Sequence, residues 1–328
     1  MTLGLSLSVK GGRLSPVAAS LSQDPWHGHL GLQFYQRQGQ TKQRVTRIQA
    51  PLRVQRPFYP EGSHRCHSVL LHTAGGLVGG DRLTIEATFA PQTEGLLTTA
   101  AATKVYGLGM GQHPPGQPIR NPDLGDPTPQ TQLPSDQTVQ ITVAAAAHGE
   151  WLPQETILFR HAQYRQRLRV DLDPGSTWLG WDLTRLGRSA RGEDFGAGDW
   201  RSQTEVWQGG RPLWIDPQWL PGRDKVWHSP QGLAAQPVVA TLAWLGQAVT
   251  PETVALARQL WHDRPASDPS ISPGSLAQVG VTRLQVGLLC RYRGSSTTEA
   301  RRWFMAIWGL VRSLRGADAP IAPRVWTP

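Results

Sequence analysis

Apolar and polar residues alternate in several short stretches of the chain. The alternation is regular in Leu83–Phe89, Thr138–Ala144 and Tyr164–Asp173, where the polar face of the last stretch carries Arg165, Arg167 and Arg169. A period of two residues is typical of strands with one buried face. Val281–Tyr292 is a longer strand candidate. These stretches predict a fold that consists largely of β-strands.

Two later segments instead have apolar residues at helical spacing. The first begins after Thr250, with Pro251 at the first helical position, and its apolar stripe is Val254, Ala257, Leu260 and Trp261. The second is predicted over residues 297–315, where Ser296 and Glu299 fit a capping box. Its apolar face contains Ala300, Trp303, Phe304, Ile307, Leu310, Val311 and Leu314, and Arg312 and Arg315 suit its negative C-terminal end.

The order of these elements indicates the fold class. Strands fill most of the chain and helices come late, which favours a mainly β or α+β architecture. Residues 107–136 are rich in Pro, Gly, Gln and Asp and have almost no apolar periodicity, so we predict a flexible insertion there. We expect a single domain over residues 1–328.

Composition excludes several classes of protein. The formal net charge is +9, but the basic residues are dispersed and no run of five occurs, so no nucleic-acid-binding tract is predicted. No window of ~18 apolar residues is present, and Met1 to Ser22 lacks the pattern of a secretory signal. Two cysteines are too few for a secreted disulfide scaffold. We therefore expect a cytoplasmic protein with no membrane span.

Two segments contain residue types that are found in binding sites. His72–Asp81 contains two Gly pairs, but no Gly-Lys-Ser/Thr follows and a strand comes next, so tight turns are favoured over a phosphate loop. His64, Cys66 and His67 offer nitrogen and sulfur ligands suited to nickel, copper or zinc. No second pair of ligands follows at the spacing of a stable metal site.

Acidic residues near aromatic or Gly-rich turns are the other candidates for chemistry: Asp81, Glu150, Glu155, Asp182, Glu193 and Asp194. Paired carboxylates could catalyse hydrolysis, line a hydrated path for a cation, or bond to Arg185, Arg188 and Arg191. The fourteen Trp residues could serve a binding module or simply fill the core. The residues alone leave these functions open.

Six blocks, in order along the chain, resemble the UreD (UreH) family of urease accessory proteins. The blocks are Pro51–Gly62, Cys66–Leu83, Leu97–Tyr106, Glu150–Glu155, Gly180–Glu193 and Pro323–Trp326. They include Gln55-Arg-Pro-Phe-Tyr-Pro-Glu-Gly62 and Glu150-Trp-Leu-Pro-Gln-Glu155. The resemblance extends over roughly residues 26–326. Thr73-Ala74 stands where the family has two prolines, and Gly149 stands where an apolar residue is common.

The resemblance implies a fold and a function. The fold would be a β-helical stack of sheets with helices near the C-terminus. The function would be maturation of urease: a non-catalytic scaffold that acts with UreF, with UreG through UreF, and with the apo-urease subunits to insert nickel. No tightly bound cofactor is implied, only nickel in transit along an internal route. Carboxylate oxygens suit a cation that must be released again.

On that resemblance we predict which residues contact nickel. The carboxylates are Asp81, Glu150, Glu155, Asp182 and Glu193, and the secondary candidates are His67 and His72. Two other functions remain open on the sequence: a carboxylate-dependent hydrolase on a β-solenoid, and a Trp-rich module that binds carbohydrate or peptide.

Overall fold

A computed structural model describes residues 25–107, 133–222, 225–264 and 276–326. Met1 to Ser22 and residues 108–132, which make up most of the predicted insertion, lie outside the described residues. The insertion was predicted to extend to Asp136, and this boundary is wrong because Ser135 and Asp136 begin a strand. The single-domain organisation stays a prediction.

The described residues form seventeen strands in two sheets. The first sheet contains β1 His27–Arg37, β2 Gln40–Gln49, β5 Arg82–Phe89, β8 Ser135–Val143, β11 Gln163–Leu172, β13 Asp199–Gln208 and β14 Arg211–Pro221. The second contains β3 Leu52–Val54, β4 Arg65–His72, β6 Glu94–Thr99, β7 Thr103–Val105, β9 His148–Trp151, β10 Thr156–Leu158, β12 Thr177–Leu186, β15 Val238–Leu245, β16 Gln278–Leu284 and β17 Gly287–Gly294.

The chain crosses repeatedly between the two sheets. From β4 to β13 it alternates between them, and neighbouring strands within a sheet run parallel: β5, β8, β11 and β13 in the first, β4, β6, β9 and β12 in the second. This path is a coil of strands, and it confirms the predicted stack of sheets. Hairpins lie at sheet edges, for example β13–β14 in the first sheet and β16–β17 in the second.

Alternation along each strand divides the side chains between two layers. One apolar layer lies between the sheets and includes Phe34 and Phe89, whose rings stack with centroids 4.4 Å apart. In β11 the buried positions alternate with Arg165, Arg167 and Arg169, which face outward as the sequence predicted. The second sheet is buried on both faces, because helices cover its outer side.

Three α-helices lie late in the part of the chain that the structure describes: α1 Lys225–His228, α2 Pro251–His262 and α3 Thr297–Leu314. Thr250 caps α2 as predicted, with its hydroxyl accepting from the N–H of Thr253. The apolar faces of α2 and α3 pack on the second sheet around Trp303, Phe304 and Trp308. Burial of these large side chains, rather than helix propensity alone, stabilises the layer.

One local prediction is wrong and another is confirmed in part. Val281–Tyr292 is not one strand but most of the β16–β17 hairpin, since a turn after Leu284 reverses the chain. The capping box of α3 forms by half: Ser296 accepts from the N–H of Glu299, but the Glu299 carboxylate binds Tyr292 and Arg264. Buried partners from the tertiary fold therefore replace the local bond that the sequence predicted.

Candidate polar sites in the fold

A buried network of charged side chains lies beneath α3, and we call it the α3 network. Its members are Glu61, Arg65, His67, Glu94, His148, Glu150, Arg312 and Arg315. Arg312 is its centre, with Nε 2.8 Å from Oε1 of Glu150 and Nη1 2.9 Å from Oε2 of Glu61. Trp308 donates its indole N–H to Glu150 at 2.9 Å. Alternation on β4, β6 and β9 places these side chains on the helix-facing side of the second sheet.

The arginines hold the carboxylates of this network ionised. Burial alone would raise the pKa of Glu150, but the charge of Arg312 and a hydrogen bond to His148 outweigh burial and place that pKa well below its ordinary value. Glu94 behaves in the same way beside Arg315, with a pKa of about 2. Burial, together with the charge of Arg315, lowers the pKa of His148 to about 4. His148 is therefore neutral in the fold at neutral pH.

A second polar group lies between the two sheets, and we call it the interior cluster: Gln166, Asp182, Thr184, Thr241, Asp216 and Arg291. Arg291 of β17 binds Asp216 of β14 with its Nη2 2.6 Å from Oδ1, and donates to Thr241 at 3.2 Å. Thr184 donates to Asp182 at 3.4 Å. The cluster contains side chains from both sheets, where neighbouring positions on the same strands are apolar.

Asp182 differs electrostatically from the carboxylates of the α3 network. Burial raises its pKa to about 6, although hydrogen bonds from Gln166 and Thr184 favour the ionised form; the charge of Asp216 raises it further. No arginine or lysine forms an ion pair with Asp182 among the described residues. Oε1 of Gln166 is buried and has no hydrogen-bond partner in the described part of the chain. The cluster therefore offers oxygen donors that are not already neutralised.

The other predicted carboxylates lie apart from Asp182. Asp81 is buried in the turn before β5, where it accepts from the N–H of Val78 at 2.8 Å. Burial raises the pKa of Asp81, although hydrogen bonds from the backbone N–H groups of Val78 and Trp26 oppose this shift. Glu155 forms an ion pair with Arg301 of α3. Glu193 forms one with Arg188, close to the short 3-10 turn Ser189–Arg191.

The secondary candidates, His67 and His72, also lie in different parts of the fold. His67 is buried in the α3 network with Nε2 2.8 Å from Oε1 of Glu61. His72 packs against Trp26, with ring centroids 5.4 Å apart, and its buried Nε2 has no hydrogen-bond partner among the residues that the structure describes. Burial lowers the pKa of His72. Cys66 points to the opposite face of β4 from His67, into the layer between the sheets, and burial raises its pKa to about 11.

The geometry therefore does not bring the seven predicted residues together in one site. Glu150 and Asp182 face opposite sides of the second sheet, because Glu150 is in register with Leu179 and strand residues alternate sides. Within the described ranges, no group of three His, Cys, Asp or Glu side chains is arranged to hold a metal ion. The interior cluster can offer at most a weak, oxygen-rich contact to a passing cation.

Several residues of these sites were not singled out by their sequence pattern. Arg312 lies in the last turn of its helix, as the sequence predicts, but the pattern did not show that its side chain is fully buried against Glu150 and Glu61. A signal did exist: Arg312 lies four residues after Trp308, on the apolar face of the helix. Gln166, Asp216 and Arg291 gave no such signal, since their partners lie on distant strands.

Most Trp residues fill the core, as with Trp178, Trp244 and Trp303. Across the described ranges, Trp219 is the one Trp whose surface is mostly exposed, at 62%. No helix in those ranges is long and apolar enough to cross a bilayer.

Comparison with known proteins gives one consistent family. The family model described as UreD urease accessory protein matches residues 27–327. The protein of Acaryochloris marina (strain MBIC 11017) called Urease accessory protein UreD is 50% identical over 301 residues, covering 92% of this chain and 95% of that protein. Proteins of the same name from Nostoc sp. (strain PCC 7120 / SAG 25.82 / UTEX 2576) and Synechocystis sp. (strain ATCC 27184 / PCC 6803 / Kazusa) are 48% and 36% identical. The first covers 92% of this chain and 96% of its own length, the second 85% and 93%.

Proposed function

This chain belongs to the UreD family of urease accessory proteins, and we propose that it assists the insertion of nickel into urease. The family is one of accessory proteins rather than enzymes. We propose that the chain acts as a scaffold with UreF, with UreG through UreF, and with the apo-urease subunits. The proposed location is the cytoplasm.

The interior cluster is the observation that supports a nickel route most strongly. Four of the five predicted carboxylates are already engaged: Glu150, Glu155 and Glu193 by arginines, and Asp81 by backbone N–H groups. Asp182 has no cationic partner among the described residues and lies beside the unpartnered Oε1 of Gln166. We therefore assign the transient contact with nickel to Asp182 and give the other four a structural role.

The chemistry of this contact suits delivery rather than storage. Nickel binds imidazole and thiolate tightly, whereas carboxylate, amide and hydroxyl oxygens hold it more weakly. The interior cluster supplies only oxygen donors besides Arg291. A cation that passed Asp182 could be released to urease without competing against a strong site, and nickel is then cargo rather than a resident cofactor.

The test is urease maturation in cells that carry the urease subunits, UreF and UreG. We would compare the wild-type chain, its deletion, Asp182→Asn and the control Asp318→Asn, which makes the same change at an exposed position after α3. Urease activity is measured together with capture of UreF by the tagged chain. We expect deletion to abolish activation, Asp182→Asn to reduce it with UreF still bound, and the control to activate fully.

Full activation in the deletion strain would refute the accessory function for this chain. Full activation by Asp182→Asn, with deletion still inactive, would refute only the role of Asp182. A carboxylate-dependent hydrolase is disfavoured by the family and by the separation of Glu150 and Asp182 across the second sheet.

A further inference from the structure

The outer face of the first sheet carries a patch of arginine and tryptophan at its β11–β13–β14 end, and we call it the Arg–Trp patch. In-register rows cross the three strands: Arg165, Arg201 and Trp219; Arg167, Gln203 and Pro217; Arg169, Glu205 and Ile215. Trp207 follows Glu205 on the same face of β13. Trp219 is 62% and Ile215 is 46% exposed, so the patch presents large apolar surface to solvent.

Two Arg–Trp pairs with the same kind of contacts fix the conformation of this surface. The Arg169 guanidinium lies 4.5 Å from the Trp207 ring centroid, and the Trp207 indole N–H donates to Glu205 at 2.8 Å. The Arg201 guanidinium lies 4.9 Å from the Trp219 centroid, and the Trp219 N–H donates to Asp199 at 2.9 Å. Each arginine stacks on a Trp ring, and the indole of that Trp is hydrogen-bonded to a carboxylate. These contacts restrict the rotamers of both side chains. Such preorganised aromatic and arginine groups are typical of binding hot spots.

Arg165 and Arg167 are the charges that the patch leaves uncompensated. Both are exposed, and the side chain of neither forms an ion pair or hydrogen bond with another described residue. Their side chains lie roughly 7 Å apart on one face of β11. Arg165 is in register with Arg201 on one neighbouring strand and with Asp136 on the other, so it has one like-charged and one opposite-charged neighbour. The two arginine side chains therefore remain available to a partner.

We propose that the Arg–Trp patch docks a surface of apo-urease that places carboxylates opposite Arg165 and Arg167 and an apolar group against Trp219. The proposal rests on the proposed function, because it identifies where the acceptor of the cargo binds. Gln166 of the interior cluster lies between Arg165 and Arg167 in the chain, and Asp216 lies between Ile215 and Pro217. The same strand segments thus carry the patch on their outer side and the interior cluster on their inner side. A partner docked here sits next to the oxygen donors between the sheets.

The charges of the patch and the prolines of its edge strand favour a protein partner over a polyphosphate and over a second copy of this chain. Asp136, Asp171, Asp199 and Glu205 are interspersed with the arginines, so the patch alternates in sign and does not match the uniform negative charge of a polyphosphate backbone. A second copy could extend the sheet only along β14, but this edge strand carries Pro212, Pro217 and Pro221, which lack the N–H that strand pairing needs. A folded protein surface with dispersed carboxylates meets both the arginines and the exposed Trp219.

The experiment measures binding of the purified chain to apo-urease by biolayer interferometry at low and moderate salt. The variants are Arg165→Glu/Arg167→Glu and Trp219→Ala. The control is Arg37→Glu/Arg47→Glu, which makes the same change of charge at exposed positions of β1 and β2, at the opposite end of the same sheet. Thermal unfolding of every variant checks the fold, and UreF is the second probe.

We expect the Arg165/Arg167 reversal to weaken binding to apo-urease at least tenfold and to reduce its salt dependence. Trp219→Ala should weaken binding several-fold, and the control should stay within twofold of wild type, with all chains folded. Unchanged binding of the reversal and of Trp219→Ala would overturn the docking site. Weakened binding to UreF with unchanged binding to apo-urease would overturn the assignment of the occupant. A wild-type chain that binds neither protein would instead refute the proposed function.

Discussion

Arg312 of α3 holds Glu150 of β9 in a buried, two-pronged ion pair, with Nε and Nη2 each 2.8 Å from one carboxylate oxygen. The same guanidinium reaches Glu61 in the loop before β4 at 2.9 Å. One fully buried cation therefore fastens the C-terminal helix to two parts of the sheet that are distant in sequence. Removal of one member of a buried ion pair leaves the other charge buried without compensation.

The first prediction concerns this attachment. Arg312→Met should lower the free energy of unfolding by about 3–5 kcal/mol, because Glu150 would remain buried without its arginine and Glu61 would keep only Arg65. Denaturant unfolding measures the change. Asp171→Asn is the matched control, since it breaks an ion pair whose side chains are 41% and 48% exposed and should cost about 0–1 kcal/mol. Equal effects of the two substitutions would contradict the role of Arg312.

The second prediction concerns His148. Its pKa in the fold is about 4, below the ordinary 6.5, so between these values the unfolded chain binds a proton that the folded chain does not. Stability should therefore fall as pH falls from about 6.5 to 4, by up to roughly 3 kcal/mol from this group. Unfolding measured between pH 5 and 7 should show a shallower slope in His148→Asn than in wild type. The exposed His64 provides a control, His64→Gln, that should keep the wild-type slope.

The strands were largely predictable, whereas the sites were not. Period-two alternation located β5, β8 and β11 because one face of each is buried and the other is polar. The pairing of Glu150 with Arg312 could not be predicted, because 162 residues separate them and nothing local records which arginine reaches which carboxylate. For the same reason Glu150, Glu155 and Glu193 resembled Asp182 in sequence, although arginines engage the first three.

The third prediction distinguishes Asp182 from a structural carboxylate. Burial raises its pKa to about 6 from an ordinary 3.8, so its ionisation costs stability above pH 6 and costs nothing below about 3.8. Asp182→Asn should therefore stabilise the fold by about 1–3 kcal/mol at pH 7.5, with the gain fading towards pH 4. Denaturant unfolding at the two pH values tests this. A loss of stability at pH 7.5 would show that the fold needs the carboxylate.

The fourth prediction concerns Gly149, where the family commonly has an apolar residue. A Cβ atom there would lie 3.1–3.3 Å from three ring atoms of Phe89, which packs against Phe34 between the sheets. Gly149→Ala should destabilise the fold by about 1–3 kcal/mol through overpacking. The double variant Gly149→Ala/Phe89→Leu should lose less than the sum of the two single variants. Additive losses would show that the two positions do not compete for the same space.

The most direct test of the central claim is the nickel content of urease itself. Urease is purified from cells that express its subunits with UreF and UreG, with and without this chain, and nickel per active site is measured by elemental analysis. The account predicts nearly full nickel occupancy with the chain and little without it, at equal amounts of assembled urease. Equal nickel occupancy in the two preparations would contradict the proposal that this chain assists nickel insertion.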